Sequence, residues 1–189
     1  ELKVVFSGSS VLDINKGISD LSRRVVMYHL SGLSFREYLS LFKNIEVPVY
    51  SLDEIVSRRP EEIEIKTPLL YFEEYLKSGY YPFAKERGYT EKLRQIISLT
   101  LETDIPVYAG LNSTVGIKLK KLLAIIAQSV PFKPNMSKLA DMLDISRNIL
   151  PDYFHYMEEA GMIMQLRDDT NGIRALGKVE KVYLDNPNL

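Results

Sequence analysis

A chain of 189 residues with 46% apolar and 26% charged side chains is long enough for one good-sized core or two small ones, and it has the balance of a folded protein. Its net charge of −1 gives no general pull toward nucleic acid or anionic membranes, and the lack of cysteine excludes disulfides, thiolate metal sites and cysteine nucleophiles. His29 and His155 are too few and too scattered for a metal site, and no apolar run approaches the roughly 18 residues that cross a bilayer. No membrane partner is expected, and the absence of cysteine fits a cytoplasmic protein.

In chain order, Leu2-Lys3-Val4-Val5-Phe6 is a short strand-like run ending in the hydroxyl-rich turn Ser7-Gly8-Ser9-Ser10. Residues 11–21 hold a short helix or a loop, and 24–30 form a second strand candidate that Ser31-Gly32-Leu33-Ser34 breaks. Ser34 with Glu37 three residues on is a capping box, predicting a helix over 35–42 with Phe35, Tyr38, Leu39 and Phe42 on one face. Residues 43–66 are the least regular stretch, interrupted by Pro48 and Pro60, with a short helix around 52–57. Thr67-Pro68 reads as an N-cap with proline at the first helical position, opening a helix over 69–77 that ends at Gly79. The next helix covers 90–103, with Leu93, Ile96, Ile97 and Leu101 on one face, and Asp104-Ile105-Pro106 is predicted to stop it.

From Val115 the pattern changes. Helices are predicted over 115–129 and 135–143, then a tight turn at Asp144-Ile145-Ser146, then a third helix over 146–160 ending at Gly161. Residues 162–166 and 181–184 read as two strands, joined by a polar loop whose Asn171-Gly172 is a hairpin signal. Three helices followed by a hairpin outline a winged helix-turn-helix.

Residues 1–111 carry 14 Lys and Arg against 16 Asp and Glu, and residues 112–189 carry 10 against 9, so neither half is strongly basic. Within the second half the third helix begins Ser146-Arg147-Asn148, residue types that read guanine and adenine edges, and Lys138 and Arg147 are placed to meet phosphates. Arg167, Arg174 and Lys178 flank the hairpin loop and are further phosphate candidates. Asp152, Glu158 and Glu159 on the same helix, and Asp168 and Asp169 in the loop, oppose them, while Pro151 must kink the helix or restart its first turn. Tyr153, Phe154, Tyr156 and Met157 are read as core or interface and not as base-stacking groups.

An ordered set of motifs carries a resemblance. Val4-Val5-Phe6-Ser7-Gly8-Ser9-Ser10 is followed by Leu21-Ser22-Arg23-Arg24 and by Tyr28 through Leu33-Ser34-Phe35-Arg36-Glu37-Tyr38. Tyr75-Leu76-x-x-Gly79 to Pro82, Asp104-Ile105-Pro106, Leu139-Ala140 through Ile145-Ser146 to Tyr153, and Lys181-Val182-Tyr183-Leu184 complete it. The set resembles the AAA-type P-loop ATPases of bacteria and archaea that carry a C-terminal winged helix and, often, a restriction-endonuclease-like end domain. Three positions depart from that family's pattern: Arg23 stands where it has glycine before the arginine, Gly32 where it has proline, and Tyr80 where it has a second glycine.

The resemblance implies an α+β chain, mainly α with short strands: the end of an ATPase core over 1–33, a helical lid or linker over 34–111 and a winged helix over 112–189. It implies a fragment, as do the strand-like run directly after Glu1 and residues 181–189, which read as a strand cut short. ATP and Mg²⁺ would bind in the intact parent, because no Gly-x-x-x-x-Gly-Lys-Ser/Thr loop occurs here and phosphoryl transfer needs one. The chain alone is then inactive, with no catalytic residue of its own. Ser7, with Ser9 second, would sense the γ-phosphate, the alternative being a plain turn and cap. Arg24 would be an arginine finger, or else a structural partner of Glu37, and Arg23 competes with it for the family role. The expected partners are double-stranded DNA, a protein, or a second copy of the chain. The alternative function is a non-enzymatic winged-helix regulator or a protein-docking module.

Overall fold

Serine followed three residues later by glutamate can satisfy two orphan backbone donors at once, and this pairing starts two helices in the chain. The computed structural model describes residues 3–5, 12, 26, 28–57, 65–129, 132–167 and 179–189. They fall into two compact units, one of Tyr28–Tyr89 with Asn188, the other of Glu1–Met27 and Thr90–Pro187 with Leu189.

In the first unit the Ser34 hydroxyl accepts from the Glu37 N–H while the Glu37 carboxylate accepts from the Ser34 N–H, opening α1 (Phe35–Tyr38). The helix widens into a π turn over Leu39–Lys43 and closes at Asn44, which adopts the left-handed conformation at φ 55°. Tyr38 and Leu39 are buried. The same reciprocal cap, Ser51 with Glu54, opens α2 (Leu52–Val56), which buries none of its residues. α3 (Pro68–Ser78) has proline in its first turn as predicted, but Thr67 makes no capping hydrogen bond. Gly79 ends α3 with φ −98°, so its glycine is not needed for a left-handed turn. It is needed for space: a Cβ there would lie 2.6 Å from the Tyr75 Cα and 2.8 Å from Tyr38 Cδ2.

In the second unit α4 (Tyr89–Leu99) runs into a π turn over Thr100–Asp104 and then directly into α5 (Ile105–Ala109). The expected stop at Asp104-Ile105-Pro106 does not occur. Pro106 falls in the first turn of α5, where its missing N–H is tolerated, and the wide turn before it absorbs the change of ladder. The helical run ends at Gly110, φ 65°. On the predicted face Leu93 and Leu101 are buried, whereas Ile96 stands 41% exposed.

α6 (Val115–Gln128), α7 (Met136–Leu143) and α8 (Leu150–Glu159) follow, then β1 (Ile163–Arg167) and β2 (Val179–Leu184). The strands pair antiparallel, Ile163 opposite Leu184 and Gln165 opposite Val182, with a bulge between Leu166 and Arg167. Phe132, between α6 and α7, adds an isolated antiparallel bridge to Val182. A single apolar core joins these elements, with Leu101, Ile105, Leu119, Leu122, Ile126, Leu150, Phe154 and Met157 all fully buried. The described chain is mostly helical with one small antiparallel sheet, an α+β arrangement.

Two strands were predicted before residue 31. Residues 3–5, 26 and 28–30 of those runs are described and none is in a strand. A strand exists through its ladder partners, and among the described residues Val5 has none and stands 95% exposed. The rest of both runs lies outside the described residues, as does Asn171-Gly172.

Candidate nucleic-acid interface

The site is built on the two turns that introduce α7 and α8. The Asn135 side chain accepts from the Lys138 N–H at 3.0 Å, fixing the start of α7 and projecting Lys138 from its exposed first turn. α7 ends at Asp144, in the left-handed conformation at φ 51°, and Lys118 donates to the Asp144 carbonyl at 2.7 Å. The Ser146 hydroxyl then accepts from the Asn148 N–H, opening a 3-10 turn over Arg147–Ile149 that packs on α7 and leads into α8. Pro151 sits in the first turn of α8, so of the two alternatives, a kink or a restarted first turn, the chain adopts the restart.

This places Arg147 and Asn148 on the entry turn of the third helix, both exposed, together with Asp152 and His155. Among the described residues neither Lys138 nor Arg147 meets a carboxylate. Tyr153, Phe154 and Met157 face inward and are core, as read from the sequence, with burial pushing the Tyr153 phenol upward. Tyr156 packs edge-on against Tyr108.

Arg167 ends β1 and is not an isolated cation. Its Nη2 donates to Glu158 Oε2, and the same carboxylate accepts from the Gln165 N–H and Nε2, each at 2.9 Å. Glu158, read from the sequence as a charge that repels phosphate, is therefore compensated by three donors. The strand's two-residue period, which turns Gln165 and Arg167 to one face, was the available signal for this cluster. Arg174, Lys178, Asp168 and Asp169 lie outside the described residues, as do the nucleotide-sensing candidates Ser7, Ser9 and Arg24.

Two other features stand apart from this surface. An open groove of about 380 Å³ runs along Arg94, Gln95, Ser98, Leu99, Glu102 and Thr103, but Glu102 is already engaged by Lys120 at 2.8 Å. Among the described residues no group of acidic and histidine side chains is placed to hold a metal, and no helix is long and apolar enough to cross a membrane.

An α+β chain with a helical second unit and an exposed, polar helix-entry turn is the class that fold and site define. Residues 69–188 match the family described as "Domain of unknown function (DUF8612)", and the chain belongs to that family. It is similar to "Uncharacterized protein MJ1637" of Methanocaldococcus jannaschii, 23% identical over 173 residues, which cover 86% of this chain and 36% of that protein. The chain thus spans about a third of the length of the curated relative it matches. No solved structure matches it.

Proposed function

We propose that this chain is part of a AAA-type ATPase whose winged-helix domain contacts double-stranded DNA under nucleotide control, and that it does not hydrolyse ATP by itself. The observation that carries the DNA half is the Phe132 bridge. With Phe132 N–H donating to the Val182 carbonyl at 3.1 Å and Val182 N–H donating back at 2.7 Å, the element order becomes helix, short strand, helix, helix and two-stranded wing. That is the order of a winged helix-turn-helix, in which α8 is the recognition helix. Arg147 and Asn148 then lie at its entry, suited to base-edge contacts, and Lys138 lies in the first turn of the preceding helix α7, suited to a backbone contact.

The ATPase half rests on the sequence resemblance. It agrees with the chain spanning only part of its longer relative. The sequence holds no Gly-x-x-x-x-Gly-Lys-Ser/Thr loop, so in this reading ATP and Mg²⁺ would bind in the parent protein and no chemical step is assigned to this chain. Residues 34–111 would be its lid or linker.

Fluorescence anisotropy of the 189-residue chain on labelled duplex DNA, at low and physiological salt, tests the reading. Binding should weaken steeply with salt, and Arg147→Ala and Lys138→Ala should each lower the logarithmic salt slope by about 0.9. Absence of binding at low salt would overturn DNA contact. A protein-docking role is the second reading, favoured by Ile117, Met142 and Ile149, which stand 58%, 55% and 39% exposed in the same unit. Salt-insensitive capture of a protein partner would support it.

A further inference from the structure

We infer that Arg167 is a phosphate ligand held in reserve and that Glu158 is the positioning residue that sets when it engages. This rests on the DNA-contact reading and names a device within the same site. The strand alone fixes Glu158: Gln165 gives its N–H to one carboxylate oxygen and its Nε2 to the other, and that Nε2 also reaches the Phe154 carbonyl at 3.3 Å. Arg167 is a third, separable donor. It meets Glu158 through one nitrogen, and its side chain is 48% exposed against 25% for Glu158.

An ion pair this open contributes little, so exchanging the carboxylate for a phosphate oxygen is energetically cheap. Glu158 keeps both Gln165 donors when Arg167 leaves, so the exchange strands no buried charge. The register shifts beside Arg167, where the wing begins: Leu166 pairs with Lys181 and Arg167 with Val179, which leaves Glu180 as the extra residue on β2. While the pair is closed it is neutral and adds no attraction. Once open, Arg167 adds one phosphate contact, and Glu158 competes with the phosphate throughout.

The test is salt-dependent anisotropy on duplex DNA with the full chain, each variant first checked for folding by circular dichroism. Arg167→Ala should lower the logarithmic salt slope by about 0.9, while Arg167→Lys retains it. Glu158→Gln should tighten binding by up to about fivefold, the most that an exposed pair is worth. That gain should vanish in the Arg167→Ala background. Asp152→Asn, the same charge change on the same helix, should act equally with and without Arg167. Wild-type binding with an unchanged slope in Arg167→Ala, or a Glu158→Gln gain that survives without Arg167, would overturn this inference and leave DNA contact standing. No binding by the wild type at low salt would overturn both.

Discussion

The Tyr38 hydroxyl donates a 3.0 Å hydrogen bond to the Glu74 carboxylate, joining α1 to α3 beneath the rings of Phe35, Phe42 and Tyr75. Lys43 donates to the same oxygen, and Lys85 lies over the Tyr38 ring. Burial, then the bond to Glu74, pushes the Tyr38 phenol up to about 12, and the Lys43 and Tyr38 donors hold Glu74 below the ordinary carboxylate value. A depressed carboxylate stabilises the fold above its ordinary pKa, and that contribution is lost as pH falls through the depressed value. The raised phenol acts at the other end, costing stability as pH climbs from about 10 toward its folded value. Tyr38→Phe should lower the urea midpoint at neutral pH by an amount equivalent to about 1 kcal/mol, and Glu74→Gln should flatten the acid limb below pH 4.5. Equal acid sensitivity of wild type and Glu74→Gln would refute the assignment.

The two capping boxes predict different outcomes from the same substitution. Ser34 starts a helix that buries Tyr38 and Leu39, so its cap is coupled to the core of its unit. Ser34→Ala should lower stability by about 1 kcal/mol in denaturant melts. Ser51 starts α2, which buries nothing. Its helix rests mainly on the cap, so Ser51→Ala should speed amide hydrogen exchange over Leu52–Val56 while leaving the denaturation midpoint unchanged. A shift of the midpoint as large as that of Ser34→Ala would contradict this separation.

Local chemistry made much of this fold legible. Ser34 and Glu37, Pro68 in the first turn of α3, and Gly161 after α8, at φ 66°, mark element ends through rules that need no distant contact. Ser51 and Glu54 offered the same signal and supported a second box that the composition of 43–66 obscured. What was not legible depended on partners. The strand expected around Val4 and Val5 has no ladder among the described residues. The π turn at Thr100–Asp104 let the helix run past Pro106, a tertiary choice that periodicity does not encode. At the candidate site, Lys138, Arg147 and Asn148 were readable as residue types on a helix entry. The capture of Glu158 by Gln165 and Arg167 was legible only in part: the strand's two-residue period puts both on one face, but that this face meets Glu158 depends on how β1 lies against α8. The Phe132 bridge was missed for a similar reason, as a single paired residue has no pattern.

Asn188 uses both ends of its side-chain amide to tie together its unit. Its Nδ2 donates to the Leu76 and Tyr75 carbonyls at 2.8 and 3.4 Å, satisfying two acceptors at the end of α3. Its Oδ1 accepts from the Tyr80 N–H at 2.9 Å and the Tyr89 hydroxyl at 3.2 Å. No motif in the sequence marks it. Asn188→Ala leaves helix-end carbonyls and a backbone N–H short of partners and should lower thermal stability by about 1–3 kcal/mol. Asn188→Asp keeps the acceptor but sets a carboxylate oxygen against two carbonyl oxygens at a helix C-terminus, so it should be at least as destabilised as Asn188→Ala. If Asn188→Asp were as stable as the wild type, the donor bonds to Leu76 and Tyr75 would not be contributing.

Gly116 sits in the first turn of α6, where the helix meets the π turn at Thr100–Asp104. A Cβ at this position would lie 2.6 Å from the Glu102 Cα and 3.0 Å from the Leu101 carbonyl oxygen. Both are backbone atoms of a segment whose Leu101 is fully buried, so neither can yield without moving the core. Gly116→Ala gains helix propensity yet should be destabilised by about 1–3 kcal/mol through overpacking. Gly110 supplies the contrast. Its φ is 65° and nothing lies within 4 Å of a built Cβ, so Gly110→Ala should cost about 1–2 kcal/mol from backbone conformation alone. Gly110→Asn should recover part of that loss, since asparagine tolerates the left-handed region, whereas Gly116→Asn should be worse than Gly116→Ala. Thermal melts of the four variants separate the mechanisms, and a Gly116→Ala chain as stable as wild type would show that α6 and the π turn do not pack this closely.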